Sequence, residues 1–212
     1  MKRDAYRLAL VSLFAAMISV GAMFSLPLPP PLPPVSLAVF FSLLSGLVLG
    51  PLWGLAATGL YLALGCVGLP VFANGAGGIG QFAGPTGGFL LGYAAAAVVS
   101  GAIADRRTWG FARAAVGATA GVAMLYAVGL PWFRAVLDAR PDQEVSMLAA
   151  FLIMSPYLAG DLVKAVAAAA LVNVLKPLLR NYLPAGTKKP GVTKRKYRGL
   201  SPKKPGSVPE EA

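Results

Sequence analysis

The sequence LALVSLFAAMISVGAMF, residues 8–24, opens a run of 97 residues that contains no Asp, Glu, Lys, Arg or His and ends at Ala104. Only 13% of the whole chain is charged, whereas a soluble domain typically carries about 25% charged residues. A soluble fold cannot keep so long an uncharged stretch in water. The chain is therefore predicted to be an integral membrane protein, which excludes a soluble enzyme and a nucleic-acid-binding domain.

Apolar segments divide this chain into membrane-spanning helices. A helix needs about 20 apolar residues to cross a bilayer, and glycine and proline mark where it stops. Gly129-Leu-Pro131 predicts that the fifth helix ends at Val128, and Ser155-Pro156 predicts that the sixth begins near Tyr157. The sequence thus predicts an all-α protein with six transmembrane helices, in the segments 8–24, 36–49, 52–64, 89–104, 111–128 and the part of 147–179 that follows Pro156.

The basic residues predict how these helices are oriented. Six spans put both termini on one side, and sixteen of the 19 Lys and Arg residues then fall on that side. Arg134 and Arg140 fall on the other side, and Lys164 lies inside a helix. The positive-inside rule therefore predicts cytoplasmic termini. It places the proline-rich stretch (residues 27–34) and the glycine-rich loop (residues 71–88) outside.

The composition changes at the end of the chain, where Lys, Pro and Gly replace the apolar residues. Such a segment has too little apolar surface to fold. Residues 1–183 are predicted to form one membrane domain, and residues 184–212 a basic, disordered, cytoplasmic tail. We attribute the net charge of +11 to basic residues that set the membrane topology and to a solvated tail, rather than to a nucleic-acid-binding surface.

The sequence lacks the residue sets that common membrane enzymes use for catalysis. The chain has no histidine, and Asp161 is the only acidic residue in a predicted span. No Gly-x-x-x-x-Gly-Lys-[Ser/Thr] phosphate loop occurs, so the chain has no ATP-binding motif of its own. No acidic cluster is present to hold a metal ion. The sequence therefore predicts a binding function rather than an enzyme, with no cofactor.

Polar residues in the apolar region are the candidate ligand contacts. Asp161 and Lys164 share a helix face, as a structural ion pair or as contacts to a polar ligand. Asn74 and Gln81, in the glycine-rich loop, either satisfy the loop's own backbone or bind a small polar molecule. Tyr93 and Tyr157 are candidates for apolar walls, as are phenylalanines of the loop. The predicted ligand-binding residues are Asn74, Gln81, Tyr93, Tyr157, Asp161 and Lys164.

Small residues form a narrow ridge on the first helix, with the spacings Ser12-xxx-Ala16 and Ala15-xxx-Ser19. Such ridges let two membrane helices approach closely. The partner is either another helix of this chain or a helix of another protein. We take Ser12, Ala15, Ala16 and Ser19 as the candidate partner interface.

Three motifs resemble those of one transporter family. Gly68-Leu-Pro-Val-Phe-Ala73, Gly84-Pro-Thr-Gly-Gly-Phe-Leu-Leu-Gly-Tyr93 and Ser155-Pro-Tyr-Leu-Ala-Gly-Asp-Leu-Val-Lys164 are similar to segments of the BioY family. Members of that family are the substrate-binding (S) components of energy-coupling factor (ECF) transporters for biotin. The likeness runs from about Arg7 to Leu179 and omits only the tail.

The resemblance implies a six-helix protein of a prokaryotic cell membrane that binds biotin from outside. It implies a transmembrane coupling protein and two ATP-binding subunits as partners, with Ala15 and Ser19 at the position of the family's small-residue ridge. Asp161 would accept the ureido N–H of biotin, and Asn74 would donate or accept. Lys164 would meet the carboxylate or neutralise Asp161.

One position departs from the family pattern. The family often has Pro-x-Thr-Leu-Gln where the second span begins, whereas this chain has Pro34-Val-Ser-Leu-Ala38. A polar contact to the ligand is lost if that Gln binds it in relatives. One alternative is therefore an S component for another small vitamin. A second alternative is a structural membrane protein that transports nothing, in which Asp161 and Lys164 form a structural pair.

Overall fold

The computed structural model describes residues 2–26, 28, 32, 34–104, 110–139 and 145–182. Two short strands, β1 (Ser25–Leu26) and β2 (Val35–Ser36), pair antiparallel on either side of the proline-rich stretch. The predicted all-α, six-helix architecture is confirmed. The predicted tail, residues 184–212, lies outside the described residues. The helices of the described chain are α1 Lys2–Met23, α2 Ala38–Leu49, α3 Pro51–Cys66, α4 Gly87–Ile103, α5 Phe111–Asp138 and α6 Met147–Tyr182.

The helices fall into a long group and a short group. Helices α1, α5 and α6 contain apolar spans of 19, 28 and 29 residues, which are long enough to cross a membrane. Helices α2, α3 and α4 are apolar but have only 12, 16 and 17 residues. Ten of the 12 residues of α2 are buried, because α2 packs against all five other helices. A helix that is hydrophobic all round is typical of such a central position.

Glycine allows the backbones of α2, α3 and α4 to touch. A Cβ atom at Gly46 would collide with the Ala97 carbonyl and the Ser100 side chain of α4. A Cβ at Gly101 would lie 2.6 Å from the Gly46 carbonyl oxygen. Close approach through small residues is how membrane helices gain packing energy when lipid removes the hydrophobic driving force between them.

Adding one methyl group at this contact should destabilise the bundle. We expect Gly46→Ala to cost about 1–3 kcal/mol, because the methyl group meets backbone that cannot move away. The matched control is Gly59→Ala in α3, where a Cβ would have no atom within 4 Å. That change should be neutral or stabilising by up to about 1 kcal/mol, because alanine favours helix. Thermal unfolding of the two purified variants checks the difference, and equal unfolding temperatures would contradict it.

Helix α5 does not end at Val128, so that prediction was wrong. The helix continues through Pro131 to Asp138. Proline removes one backbone hydrogen bond, but packing beyond it holds the helix together, since Phe133 and Leu137 are 0% and 2% exposed. The Trp132 indole N–H also donates to the Gly84 carbonyl at 3.1 Å, which ties this extension to the glycine-rich loop.

Helix α6 is likewise continuous, and the predicted break at Ser155-Pro156 was wrong. Pro156 has no N–H to donate to the Leu152 carbonyl, which is its usual helical partner. The Ser155 hydroxyl donates to that same carbonyl at 2.8 Å. Serine side chains commonly satisfy the backbone that proline frees in membrane helices. Ser155 therefore keeps the helix intact at the residue that was expected to end it.

The glycine-rich loop folds as two short 3-10 turns, Ala73–Gly75 and Ile79–Ala83. Its backbone bonds largely to itself and to α3: the Phe72 N–H donates to the Ala76 carbonyl, and the Gly78 N–H to the Gly65 carbonyl at 2.7 Å. Gly78 has φ of 90°, a conformation that favours glycine. The loop is thus an ordered cap at the outer ends of α3 and α4.

Candidate functional site

A cavity of about 390 Å³ lies beneath the glycine-rich loop and the β1–β2 hairpin. This volume falls in the range of small-molecule sites. All six helices contribute to its wall, which is mostly apolar, with phenylalanine, leucine and methionine side chains among the described residues. Phe89 of α4 and Tyr126 of α5 pack edge to face there, with ring centroids 5.8 Å apart. The arrangement suits a compact, largely apolar ligand.

Asp161 carries the fixed negative charge of the cavity wall. The residue is 6% exposed, and both carboxylate oxygens accept a hydrogen bond. The Lys164 ammonium donates to Oδ1 at 2.8 Å, and the Tyr126 hydroxyl donates to Oδ2 at 2.8 Å. A buried carboxylate needs such partners, and each oxygen retains a second lone pair for a ligand. The predicted pair is thus both an ion pair and part of the cavity wall.

Four tyrosines line the cavity, each from a different helix: Tyr61 of α3, Tyr93 of α4, Tyr126 of α5 and Tyr157 of α6. The Tyr126 hydroxyl is bonded to Asp161. The buried hydroxyls of Tyr61 and Tyr157 have no hydrogen-bond partner among the residues that the structure describes. Two of the four cavity-lining tyrosines therefore have hydroxyls that no described residue bonds.

Asn74 lies in the glycine-rich loop with its amide held in place. Its backbone is left-handed, with φ of 58°, a conformation that asparagine tolerates better than most residues. The Ser25 hydroxyl donates to Asn74 Oδ1 at 3.0 Å, and the Asn74 backbone N–H donates to the same Ser25 oxygen at 3.1 Å. The amide oxygen is therefore engaged by β1, and the amide NH₂ is the group suited to donate to a ligand.

Aromatic rings connect the cavity to the cap above it. Tyr61 and Phe72 pack edge to face at 5.4 Å, and Phe72 and Phe82 at 6.0 Å. The Phe72 ring lies against Gly65, where a Cβ atom would collide with it. Gln81, within the second 3-10 turn, lines the same cavity. The glycine-rich loop thus brings the Phe72 ring and two amides, Asn74 and Gln81, to the cavity wall.

The structure brings all six predicted ligand-binding residues to one cavity. Whether each contacts a ligand stays a prediction. Sequence reasoning missed Tyr61 and Tyr126, although a signal was available: helices α3, α4 and α5 each contain a single tyrosine among mostly alanine, leucine and glycine. Within the described residues, no three His, Cys, Asp or Glu side chains are grouped as metal ligands would be.

The small-residue ridge on α1 is divided by the fold. Ser12 and Ala16 are exposed, as an interface with another protein requires. Ala15 and Ser19 are 1% and 9% exposed, because they face the interior of the bundle. The Ser19 hydroxyl donates to the Ala15 carbonyl at 2.9 Å. Ala15 and Ser19 therefore face helices of this chain, which is one of the two alternatives for the ridge, and an interface with another protein stays a prediction.

Comparisons with known proteins agree on one family. A family model described as "BioY family" matches residues 1–181. The biotin transporter BioY of Rhodobacter capsulatus is 43% identical over 164 residues, covering 74% of this chain and 86% of the relative. The biotin transporter BioY of Thermotoga maritima is 40% identical over 169 residues, covering 78% and 93%.

A solved structure has the same fold. It is described as the crystal structure at 2.1 Å of the S-component for biotin from an ECF-type ABC transporter. The two structures superpose with a TM-score of 0.74, at 22% sequence identity, over 83% of this chain and 93% of the other. At that identity the likeness shows the fold.

Proposed function

The chain belongs to the BioY family, and from that premise we infer that it is a biotin-binding S subunit of an ECF-type transporter. It is a membrane transport protein and not an enzyme. The observation that carries this function is the cavity, in which a hydrogen-bonded carboxylate lies among apolar and aromatic walls. Biotin presents an apolar bicycle, a ureido group and a carboxylate, and these need such a combination.

In the proposed complex, the ureido group binds between α6 and the glycine-rich loop. Asp161 accepts a ureido N–H with its remaining lone pairs. The Asn74 NH₂ donates to the ureido carbonyl, since its own oxygen is engaged by Ser25. Tyr93, Tyr157 and Gln81 complete the wall around the ring system. The absence of Gln at position 38 is consistent with this arrangement, because two other amides line the cavity.

Lys164 has two roles in the proposed complex. One ammonium hydrogen is engaged by Asp161 at 2.8 Å, and two others remain to donate. Lys164 therefore neutralises Asp161 and can also donate to the ureido oxygen beside it, while the biotin carboxylate, at the far end of the valerate chain, lies nearer water. Together, Asp161 and Lys164 leave the wall without net charge, which favours an overall neutral head group against the apolar surface.

The partners follow from the same proposal. A transmembrane coupling protein and two ATP-binding subunits supply energy that this chain has no sequence motif to obtain. The exposed Ser12 and Ala16 on α1 are the surface that we assign to the coupling protein. The membrane is the cell membrane of a prokaryote, with the basic tail in the cytoplasm.

Bulky substitutions on α1 test this surface. We expect Ala16→Leu to leave biotin binding by the purified protein unchanged and to lower biotin uptake by cells that express the full transporter. The matched control is Ala15→Leu, one residue away, which should reduce folded protein because position 15 is 1% exposed. Equal uptake by wild type and Ala16→Leu would show that this face of α1 does not contact the coupling protein.

Equilibrium binding tests the function itself. Purified protein in detergent is titrated with biotin and, separately, with other vitamins. We expect saturable binding of biotin alone. Saturable binding of a different vitamin would favour the alternative S component that Ala38 suggests.

A further inference from the structure

The Tyr61 hydroxyl is a buried polar group with no partner in the protein as described. Tyr61 is 0% exposed, packs edge to face on Phe72, and belongs to a buried apolar cluster with Leu90 of α4 and Ala22 of α1. Its oxygen finds no hydrogen-bond partner among the described residues, yet the residue lines the cavity. A phenol in such surroundings loses its bonds to water and gains none in return.

The unpartnered hydroxyl of Tyr61 differs from that of Tyr126, which has a partner within the chain. The Tyr126 hydroxyl donates to Asp161 at 2.8 Å, so its polar group is satisfied within the chain. At position 61, phenylalanine would fill the same space without an unsatisfied hydroxyl. Buried polar groups in native proteins are nearly always bonded, so an unbonded hydroxyl on a residue that lines a binding cavity indicates a partner that arrives with the ligand.

Tyr61 and Asp161 also belong to different parts of the wall. Tyr61 belongs to a buried cluster of side chains from α1, α2, α3, α4 and the glycine-rich loop. Asp161 and Lys164 are on α6, where Tyr126 of α5 completes their hydrogen bonds. The residues that line the cavity therefore include one with an unbonded donor on α3, in addition to the charged pair on α6.

We propose that Tyr61 is a specificity-determining residue whose hydroxyl donates a hydrogen bond to an acceptor oxygen of the bound ligand. The inference rests on the proposed function, and the oxygen belongs to either the ureido carbonyl or the carboxylate of biotin. Tyr61 thereby discriminates biotin from molecules of the same shape that lack an acceptor there.

The first test is Tyr61→Phe, measured with and without biotin. Without ligand, the variant should unfold at the same temperature as wild type or higher, because the change removes an unsatisfied hydroxyl. With biotin, its Kd should rise about threefold to tenfold, the equivalent of one ordinary hydrogen bond. Tyr126→Phe is the control for stability, because it removes an existing hydrogen bond and should unfold at a lower temperature. A lower unfolding temperature for ligand-free Tyr61→Phe would show that the hydroxyl already has a partner, and would overturn the proposal.

The second test identifies the oxygen. Wild type and Tyr61→Phe are titrated with 2-iminobiotin, which lacks the ureido oxygen, and with an analogue that carries a terminal methyl group in place of the carboxylate. The loss of affinity caused by Tyr61→Phe should disappear for one of these ligands, which then names the acceptor. An equal loss for biotin and both analogues would mean an indirect effect and overturn the proposal, as would an unchanged Kd for biotin.

The outcomes distinguish a failure of the proposed role of Tyr61 from a failure of the proposed biotin-binding function. Tight biotin binding by wild type with an unaffected Tyr61→Phe variant overturns the role of Tyr61 alone. If folded wild-type protein shows no saturable biotin binding, the proposed function fails, and the role of Tyr61 fails with it.

Discussion

Replacing Asp161 with asparagine is expected to weaken biotin binding about tenfold to a hundredfold. The substitution keeps the shape of the side chain but exchanges a charged acceptor for a neutral amide. Hydrogen bonds to charged groups contribute roughly 1.5–3 kcal/mol, and each 1.4 kcal/mol is a factor of ten in Kd. Isothermal titration of the folded variant with biotin measures the change. A Kd within twofold of wild type would show that Asp161 holds the fold and not the ligand.

Replacing Lys164 with methionine should have the largest effect on stability. The Asp161 and Lys164 side chains are 9% and 16% exposed, and the ammonium is 2.8 Å from the carboxylate. Removing one partner of a buried ion pair leaves the other charge uncompensated, at a cost of about 3–5 kcal/mol. We expect a clear fall in folded yield and in the unfolding temperature measured in detergent. Lys164→Arg, which keeps the charge, is the control, and similar losses for both variants would point to packing rather than charge.

The double variant Asp161→Asn with Lys164→Met separates folding from binding. No lone charge remains, so folded yield should recover relative to either single variant. Affinity for biotin should stay low, because the charged acceptor is still missing. Normal biotin affinity in the folded double variant would show that neither residue contributes to biotin binding.

Much of this fold is predictable because a chain can cross the lipid bilayer only as long apolar helices or closed barrels. The uncharged run from Leu8 to Ala104 predicts membrane helices, and the predicted break between the segments 36–49 and 52–64 coincides with the turn between α2 and α3. The expectation that proline ends a helix was wrong at Pro131 and Pro156, where α5 and α6 continue. Proline is a reliable helix stop in water, but in a membrane bundle neighbouring contacts and the Ser155 hydroxyl compensate for it.

The candidate site was predictable where a residue was chemically conspicuous. Asp161 and Lys164 stand out as charges in an apolar helix, and Asn74 and Gln81 as amides in a glycine-rich loop. Tyr61 gave a weaker signal, because tyrosine is equally typical of ordinary packing. Its importance depends on three-dimensional facts, namely complete burial and an unpartnered oxygen at a cavity.

The α1 ridge shows a second limit of sequence reasoning. Ser12, Ala15, Ala16 and Ser19 are all small, and their spacing alone does not say which of them faces outward. The position of α2 and α3 decides it, because these helices pack against one side of α1 and bury Ala15 and Ser19 there. Only a structure determines that rotation of the helix about its axis.

The most direct test of the account is isothermal titration of biotin into the purified, detergent-solubilised wild-type protein. A thermal unfolding curve on the same sample establishes that the protein is folded. The account predicts saturable binding of one biotin per chain, together with a higher unfolding temperature when biotin is present, because a ligand that binds only the folded state stabilises it. A folded sample that shows neither saturable binding nor a shift in unfolding temperature with biotin would contradict it.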